Sequence, residues 1–269
     1  MSPLLMGLSI TKLNLVTIDI VIPVLNEEET LTLCVEKLVS FCDKYMGAFQ
    51  WRIVIADNGS QDKTAFIARE LSSIYSNVSV TTLLVSGRGR ALKKTWIESD
   101  ADLVAYMDVD LSTDINALPK ATDSVLNGKH DIVVGSRLLK GSRVVGRTPI
   151  RSITSWSYSC LFRLIFLVSF KDAQCGFKVL SREVVDHILP SVRDVGWFFD
   201  TELLILAEKN GFCVFEMPVL WIDDPDSRVK IFRTAWEDLK GLVRLRFGGL
   251  AKARGEIESI KARRKKELR

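Results

Sequence analysis

Near-continuous apolar runs alternate with apolar positions spaced three or four apart, and the exchange repeats along the first half of the chain. IDIVIPV (Ile18 to Val24) reads as a buried strand, followed by a helical stripe through Leu31, Val35, Leu38 and Val39. WRIVIAD (Trp51 to Asp57) is a second strand, with a helix opening at Asp62. VSVTTLLV (Val78 to Val85) precedes a helix around Ala91 to Ile97. LVAYMDV (Leu103 to Val109) precedes a helix after Asp114, and DIVVGS (Asp131 to Ser136) closes the series. Strands apolar along their whole length, separated by helices, predict an α/β fold with a mostly parallel sheet covered on both faces. No repeat or low-complexity linker interrupts the pattern.

In such sheets ligands bind beyond the C-terminal strand ends, near the point where strand order reverses. Polar residues cluster at those ends: Asn26, Glu27 and Glu28, then Asp57 to Asp62, then Asp108 and Asp110. In AYMDVDLSTD the two aspartates are separated by one residue, and on a strand that spacing puts both carboxylates on one face. A hard cation such as Mg²⁺ takes ligands of this kind and completes its shell with phosphate oxygens. The same residues at a strand end also cap helices. ADNGSQDKT (Ala56 to Thr64) combines an Asn-Gly turn with an N-cap at Gln61 or Asp62; its Asp57 also suits a base or ribose donor. GRGRALKK (Gly87 to Lys94) is a basic, glycine-rich turn entering a helix that favours anions, and it matches neither the P-loop nor the dinucleotide fingerprint. Three acidic strand ends in one sheet exceed what capping requires.

Composition narrows the class. Of 269 residues, 47% are hydrophobic and 26% charged, as in ordinary globular proteins, and a net charge of +4 argues against a nucleic-acid partner. The positive excess lies in the last stretch, with Lys261 to Arg269 the densest part. Five scattered cysteines, with no CxxC pair, predict reduced thiols, and Cys175 reads as a packed residue. Two distant histidines supply no triad. The N-terminal apolar stretch, interrupted by Lys12, Asn14 and Asp19, reads neither as a signal peptide nor as a membrane span. Ile153 to Phe170 is short for a span and carries Arg163, so it reads as a helix that is core or interfacial. Arg147, Arg151 and Arg163 read as solvated helix faces.

IPVLNEEETL, ADNGSQDKT, MDVDLST and VVGSRL together resemble family 2 glycosyltransferases with a GT-A fold. The resemblance runs from about Ile18 to Arg246. DAQCGFKVLSR, GWFFDTELL and the segment from Val219 to Arg246 resemble its polyisoprenyl-phosphate branch, the dolichyl-phosphate glucose and mannose synthases. The CGFK and aromatic-FD-ELL runs are closer to the glucose synthases, whereas Leu111, Ser112 and Thr113 after the second aspartate lean toward the mannose type. The resemblance implies a catalytic domain over residues 1–247, with a nucleotide-sugar half at about 18–137, an acceptor and membrane half at about 138–247, and a basic helix or tail at 248–269.

Position by position, it implies that Pro23, Leu25 and Glu27 line base and ribose and that Asp57 contacts the nucleoside. Asp108 and Asp110 would hold Mg²⁺ or Mn²⁺ and the diphosphate. Arg137 would approach the donor sugar or the acceptor phosphate, Arg228 would close over the diphosphate, and Asp172 with Gln174 would lie on the acceptor side. The implied reaction is inverting transfer of glucose or mannose from UDP-glucose or GDP-mannose to a polyisoprenyl (dolichyl) phosphate, at the cytoplasmic membrane face, feeding glycan and glycoprotein assembly. The alternatives are a soluble family 2 transferase acting on a saccharide or small molecule, and a non-catalytic nucleotide-sugar-binding protein. Such an acceptor is already anionic, so alignment and neutralisation of the leaving diphosphate are the main catalytic tasks.

Overall fold

A computed structural model describes residues 15–223 and 231–267. Arg228 and the stretch before Leu15 therefore lie outside the described residues, as do Leu268 and Arg269 at the end of the basic tail. The elements up to Ser136 follow the predicted alternation: β1 (Val16–Val24), α1 (Leu31–Tyr45), β2 (Phe49–Asp57), α2 (Thr64–Ile74), β3 (Val78–Thr82), α3 (Arg88–Glu98), β4 (Leu103–Met107), α4 (Ala117–Leu126) and β5 (Ile132–Ser136). Beyond them come β6 (Arg143–Val145), α5 (Pro149–Phe166), β7 (Phe177–Ser181), α6 (Arg182–His187), α7 (Phe199–Lys209), β8 (Val214–Pro218), β9 (Leu220–Ile222), α8 (Ile231–Arg244) and α9 (Leu250–Glu267).

Seven strands form one sheet in the order β3-β2-β1-β4-β7-β5-β8. All neighbours are parallel except β7, which runs antiparallel between β4 and β5. The chain winds outward from β1 to β3 and returns on the other side of β1 as β4, so the order reverses between β1 and β4. A crevice beyond the C-terminal ends of these two strands is the expected binding position. A parallel pair, β6 and β9, stands apart from the main sheet; Thr113 bridges to Trp221 of β9.

Burial explains the strand pattern. The middle of β1 and all of β4 and β5 are fully covered, as a sheet with helices on both faces requires. Asp19 is tolerated inside β1 because Arg52 pairs with it through Nε at 2.9 Å and Nη2 at 2.5 Å, and Ser99 donates to it at 2.6 Å. Helix α7 is buried along Phe199 to Ala207, which takes Asp200, Thr201 and Glu202 into the interior.

Three boundaries differ from the sequence reading. β3 stops at Thr82 and leaves Leu84 exposed, so the apolar run outlasts the strand. α3 begins at Arg88, three residues before Ala91. The predicted 153–170 helix is α5, which starts at Pro149 under a Thr148 cap and ends where Leu167 turns left-handed at φ 52°. The core reading is met in part, since Phe162 and Phe166 are buried while Ile150, Ile153, Trp156 and Leu164 are exposed.

Candidate active site

Two loops at the sheet edge are laced together by side chains. After β1, Asn26 takes φ 56°, its Oδ1 accepts from the Gln61 amide at 2.8 Å and its own amide donates to Ser60 Oγ at 3.0 Å. The Glu27 amide donates to Thr64 Oγ1 at 2.7 Å. After β2, Asp57 accepts from the Ser60 amide at 3.1 Å, and Gly59 supplies the positive φ (82°) that the turn needs. Asn58 Oδ1 accepts from the Gly87 amide at 2.8 Å, which ties the start of α3 to the same edge. The α2 cap lies one residue later than predicted: Lys63 occupies the cap position, its amide donating to Glu28, while Asp62 accepts from the Thr64 amide.

Pro23, at the end of β1, is half-buried beside Ala56, Leu25 is exposed, and Glu27 is half-buried. Asp57 is buried at the end of β2. These four residues share the edge that the sequence assigned to the nucleoside.

Asp108 and Asp110 reach the edge by another route than the strand rule supposes. β4 ends at Met107, so neither aspartate is a strand residue. The Leu111 amide donates to the Asp108 carbonyl at 3.0 Å, Leu111 takes φ 51°, and the Ser112 amide donates to Asp110 Oδ1 at 2.9 Å. A turn, rather than pleat alternation, places both carboxylates. Asp108 is fixed by Tyr106 Oη and Arg88 Nη2, each 3.3 Å from its Oδ1, and its amide donates to the Gly176 carbonyl at 3.2 Å. A Cβ on Gly176 would fall 1.6 Å from Asp108 Oδ2, so the carboxylate fills a cradle that a side chain would close. Two carboxylates on a solvent-open turn beside that cradle fit a hard cation sharing its shell with phosphate oxygens. Among the described residues no group of three His, Cys, Asp or Glu side chains forms a self-sufficient metal site.

The acceptor-side residues are brought together, but around one another. Arg137 grips Asp172 through Nε and Nη2, both at 2.8 Å, and its amide adds a third bond at 2.9 Å. Its guanidinium lies 4.7 Å from the Trp221 ring centroid. Burial opposes charge on both partners, yet the pair holds Asp172 below the usual carboxylate range and Arg137 above its own. Arg137 is thus engaged inside the protein. Gln174 Nε2 donates to Asp238 of α8 at 2.8 Å. Cys175 is buried, and burial pushes its thiol up to about 12, which removes it as a nucleophile at neutral pH.

Two arginines carry more than the sequence reading gave them. Arg147 is no solvated face: Nη2 donates to Ser155 Oγ at 2.5 Å, while its Nε and Nη1 are buried and meet no hydrogen-bond acceptor among the described residues. Burial, and the charge of Arg137, pull its basicity down. Neighbouring Arg151 pairs with Asp223 at 2.8 Å. Arg88, read only as part of a basic turn, faces carboxylates instead. No periodicity marks either residue, because their roles arise from loops that meet only in the folded chain.

Comparison with known proteins agrees with this architecture. The model of the family described as glycosyl transferase family 2 matches residues 19–189. Glycosyltransferase AglD of Haloferax volcanii is 33% identical over 222 residues, covering 81% of this chain and 35% of AglD. The dolichyl-phosphate beta-glucosyltransferase ALG5C of Trichomonas vaginalis is 29% identical, covering 78% of this chain and 65% of the relative; the Saccharomyces cerevisiae dolichyl-phosphate beta-glucosyltransferase is 25% identical, covering 87% and 75%. The chain therefore spans about a third of AglD and about two thirds to three quarters of these glucosyltransferases. Among solved structures, mannosyl-3-phosphoglycerate synthase from Rubrobacter xylanophilus superposes with a TM-score of 0.66 at 19% identity, covering 87% of this chain and 76% of that one. Glucosyl-3-phosphoglycerate synthase of Mycobacterium tuberculosis superposes with 0.64 at 18% identity, covering 86% and 81%, and has been solved with Mn²⁺ and UDP-glucose. The fold is that of GT-A glycosyltransferases, as the motifs implied.

Proposed function

This chain belongs to glycosyl transferase family 2, and from that premise we propose that it transfers a hexose, with inversion, from a nucleotide-diphosphate sugar to a polyisoprenyl phosphate at a membrane surface. The observation that carries the reading is the convergence at one sheet edge. The laced loops after β1 and β2 suit a nucleoside, the Asp108–Asp110 turn suits a cation and diphosphate, and Arg147 offers buried N–H groups to an acceptor phosphate. The dolichyl-phosphate glucosyltransferases among its relatives support a lipid-phosphate acceptor and a glucose donor.

In this reading Pro23, Leu25, Glu27 and Asp57 bind the nucleoside. Asp108 and Asp110 hold Mg²⁺ or Mn²⁺, which supplies Lewis-acid neutralisation of the departing diphosphate. Arg137 is too firmly bound to Asp172 to swing toward ligand; it braces β5 against the loop carrying Asp172, Gln174 and Cys175. Arg147, with two buried N–H groups unanswered, takes the acceptor phosphate, since a guanidinium meets phosphate through paired donors. The phosphate oxygen attacks the anomeric carbon and the carbon–oxygen bond to the diphosphate breaks. No proton must be abstracted, so no general base is needed. Arg228, if it closes over the diphosphate, does so from outside the described residues.

Among the described residues, no helix is long and apolar enough to cross a membrane. Exposed apolar side chains on α5 and α8 support attachment to a membrane surface. The face in this reading is the cytoplasmic one, where nucleotide sugars are supplied. The deciding experiment incubates the purified chain and membranes with labelled nucleotide sugars, UDP-glucose and GDP-mannose included, and scores product extracted into organic solvent. Label retained only in water-soluble product favours a soluble-acceptor transferase, and no transfer with any donor favours a non-catalytic binding protein. Asp110→Ala should abolish transfer, and Asp57→Ala should raise the donor KM more than it lowers kcat.

A further inference from the structure

Arg88 opens α3 and is held from four sides. Its Nη2 lies 3.3 Å from Asp108 Oδ1, and its Nη1 lies 3.5 Å from Asp200 Oδ2. The guanidinium carbon sits 5.0 Å from the Tyr106 ring centroid and 4.8 Å from that of Trp197. Only 14% of the side chain is exposed. Asp200 is anchored in turn: its Oδ1 is 2.9 Å from Nζ of Lys178, which is fully buried and donates to the Cys175 carbonyl at 2.8 Å. Lys178, Asp200, Arg88 and Asp108 thus form a line of alternating charge from the core to the solvent edge.

The flanking glycines hold this arrangement in place. A Cβ on Gly87 would stand 2.7 Å from the Val195 carbonyl oxygen, and one on Gly89 would stand 2.5 Å from Cβ of Phe199. Both let the first turn of α3 press against the segment that carries Trp197 and Asp200. The GRGR run is therefore a packing device that aims one arginine at two carboxylates, and the anion site expected of it is already filled by protein groups.

We infer that Arg88 is a positioning residue that holds Asp108 while the site is empty and makes cation binding conditional on a nucleoside diphosphate. The inference rests on the reading of Asp108 and Asp110 as cation ligands. A carboxylate already neutralised by a guanidinium is a poor site for a lone divalent cation, because the two positive groups repel across a partly buried space. A diphosphate brings the negative charge that offsets this repulsion. Cation and nucleotide then raise each other's affinity by one shared factor, as linkage requires. Arg88, stacked between two rings and bound at both ends, acts through Asp108.

The test measures Mn²⁺ binding by electron paramagnetic resonance on the full chain, alone and with saturating UDP or GDP. In the wild-type protein, nucleotide should tighten Mn²⁺ binding by about ten-fold or more, the usual size of a coupling between sites. Arg88→Gln should tighten Mn²⁺ binding without nucleotide and lower the coupling factor several-fold, leaving the part that comes from phosphate oxygens in the cation's own shell. Arg88→Lys, which keeps the charge but reaches one carboxylate at a time, should fall between, and it carries the test if the glutamine variant does not fold. An unchanged coupling factor, or weaker Mn²⁺ binding without nucleotide, overturns the inference while leaving the cation site standing. Wild-type protein that binds Mn²⁺ with neither nucleotide overturns the cation-site reading itself.

Discussion

Gly176 and Asp108 occupy a space that admits only one side chain: a Cβ on Gly176 would lie 1.6 Å from Asp108 Oδ2. The backbone amide of Asp108 donates to the Gly176 carbonyl at 3.2 Å, so neither residue can retreat without breaking the contact that prolongs the β4–β7 ladder. Gly176→Ala should therefore displace the carboxylate rather than the sheet. We expect a loss in kcat of about 10²-fold or more, the usual result of misplacing a reacting group by an ångström. Mn²⁺ affinity should weaken with it, while the melting temperature changes little. Near-native turnover would mean that Asp108 is not a cation ligand.

That contact also shows where sequence reading stops. The strands up to Ser136 were legible because a strand covered on both faces must be largely apolar, as β4 is throughout and as β1 and β5 are apart from Thr17, Asp19 and Ser136. The edge carrying Asp57 and Asp108 followed from their positions at strand ends. Pleat alternation gave the right neighbours for Asp108 and Asp110 for the wrong reason, since the strand ends at Met107 and a left-handed Leu111 makes the turn. The insertion of β7 between β4 and β5 is a tertiary choice with no local signature. Lys178 and Asp200 were hidden for a similar reason: a charge inside an apolar helix or strand becomes intelligible only when its partner arrives from elsewhere in the chain.

The Arg137–Asp172 pair should behave as a structural brace. Arg137→Ala leaves a buried carboxylate uncompensated, which costs about 3–5 kcal/mol. Because Asp172 is held below the ordinary carboxylate range, its contribution is fully present above the unfolded value of about 3.9 and is lost as pH falls through the folded value. Urea titrations of wild type and Asp172→Asn between pH 2 and 6 would separate it, with the wild-type curve falling more steeply at the acid end. Parallel curves would remove the pair from the stability account.

Asp238 has the opposite sign. Burial, helped by the charges of Asp194 and Asp200, pushes it up to about 7, although the hydrogen bond from Gln174 pulls it down. Its folded value exceeds the unfolded one, so between about pH 4 and 7 the native state holds more protons and stability declines as pH rises. Asp238→Asn keeps an acceptor for Gln174 and removes the ionisation. It should be stabilising at pH 8, with Tm rising by about 2–4 °C for each kcal/mol released, and neutral at pH 4. An equal effect at both pH values would assign the change to packing.

The last prediction concerns the membrane, where the structure shifts weight from the tail to α8. Trp236, Leu239, Val243 and Phe247 are exposed and fall at helical spacing, Phe247 being 80% exposed just past the helix end. Helix α5 also presents exposed apolar side chains, at Ile150, Ile153 and Trp156. The basic tail is less free than its sequence suggests. Lys261 lies 4.6 Å from the Phe212 ring centroid and Arg264 pairs with Asp186, so deleting Lys261 to Arg269 should cost stability as well as lipid affinity. The cleaner test is substitution on the exposed face. Each large apolar side chain entering lipid contributes about 1.5–3 kcal/mol and each basic residue near anionic lipid about 1 kcal/mol. Val243→Glu with Phe247→Glu should therefore abolish flotation on anionic liposomes at an unchanged Tm, whereas Lys265→Glu with Lys266→Glu should weaken it in a salt-dependent way. Both pairs should retain activity on a short, soluble polyprenyl phosphate. If the wild-type chain ignores anionic liposomes at low salt, the acceptor is not delivered by a bilayer, and the soluble-acceptor transferase becomes the better account of the site.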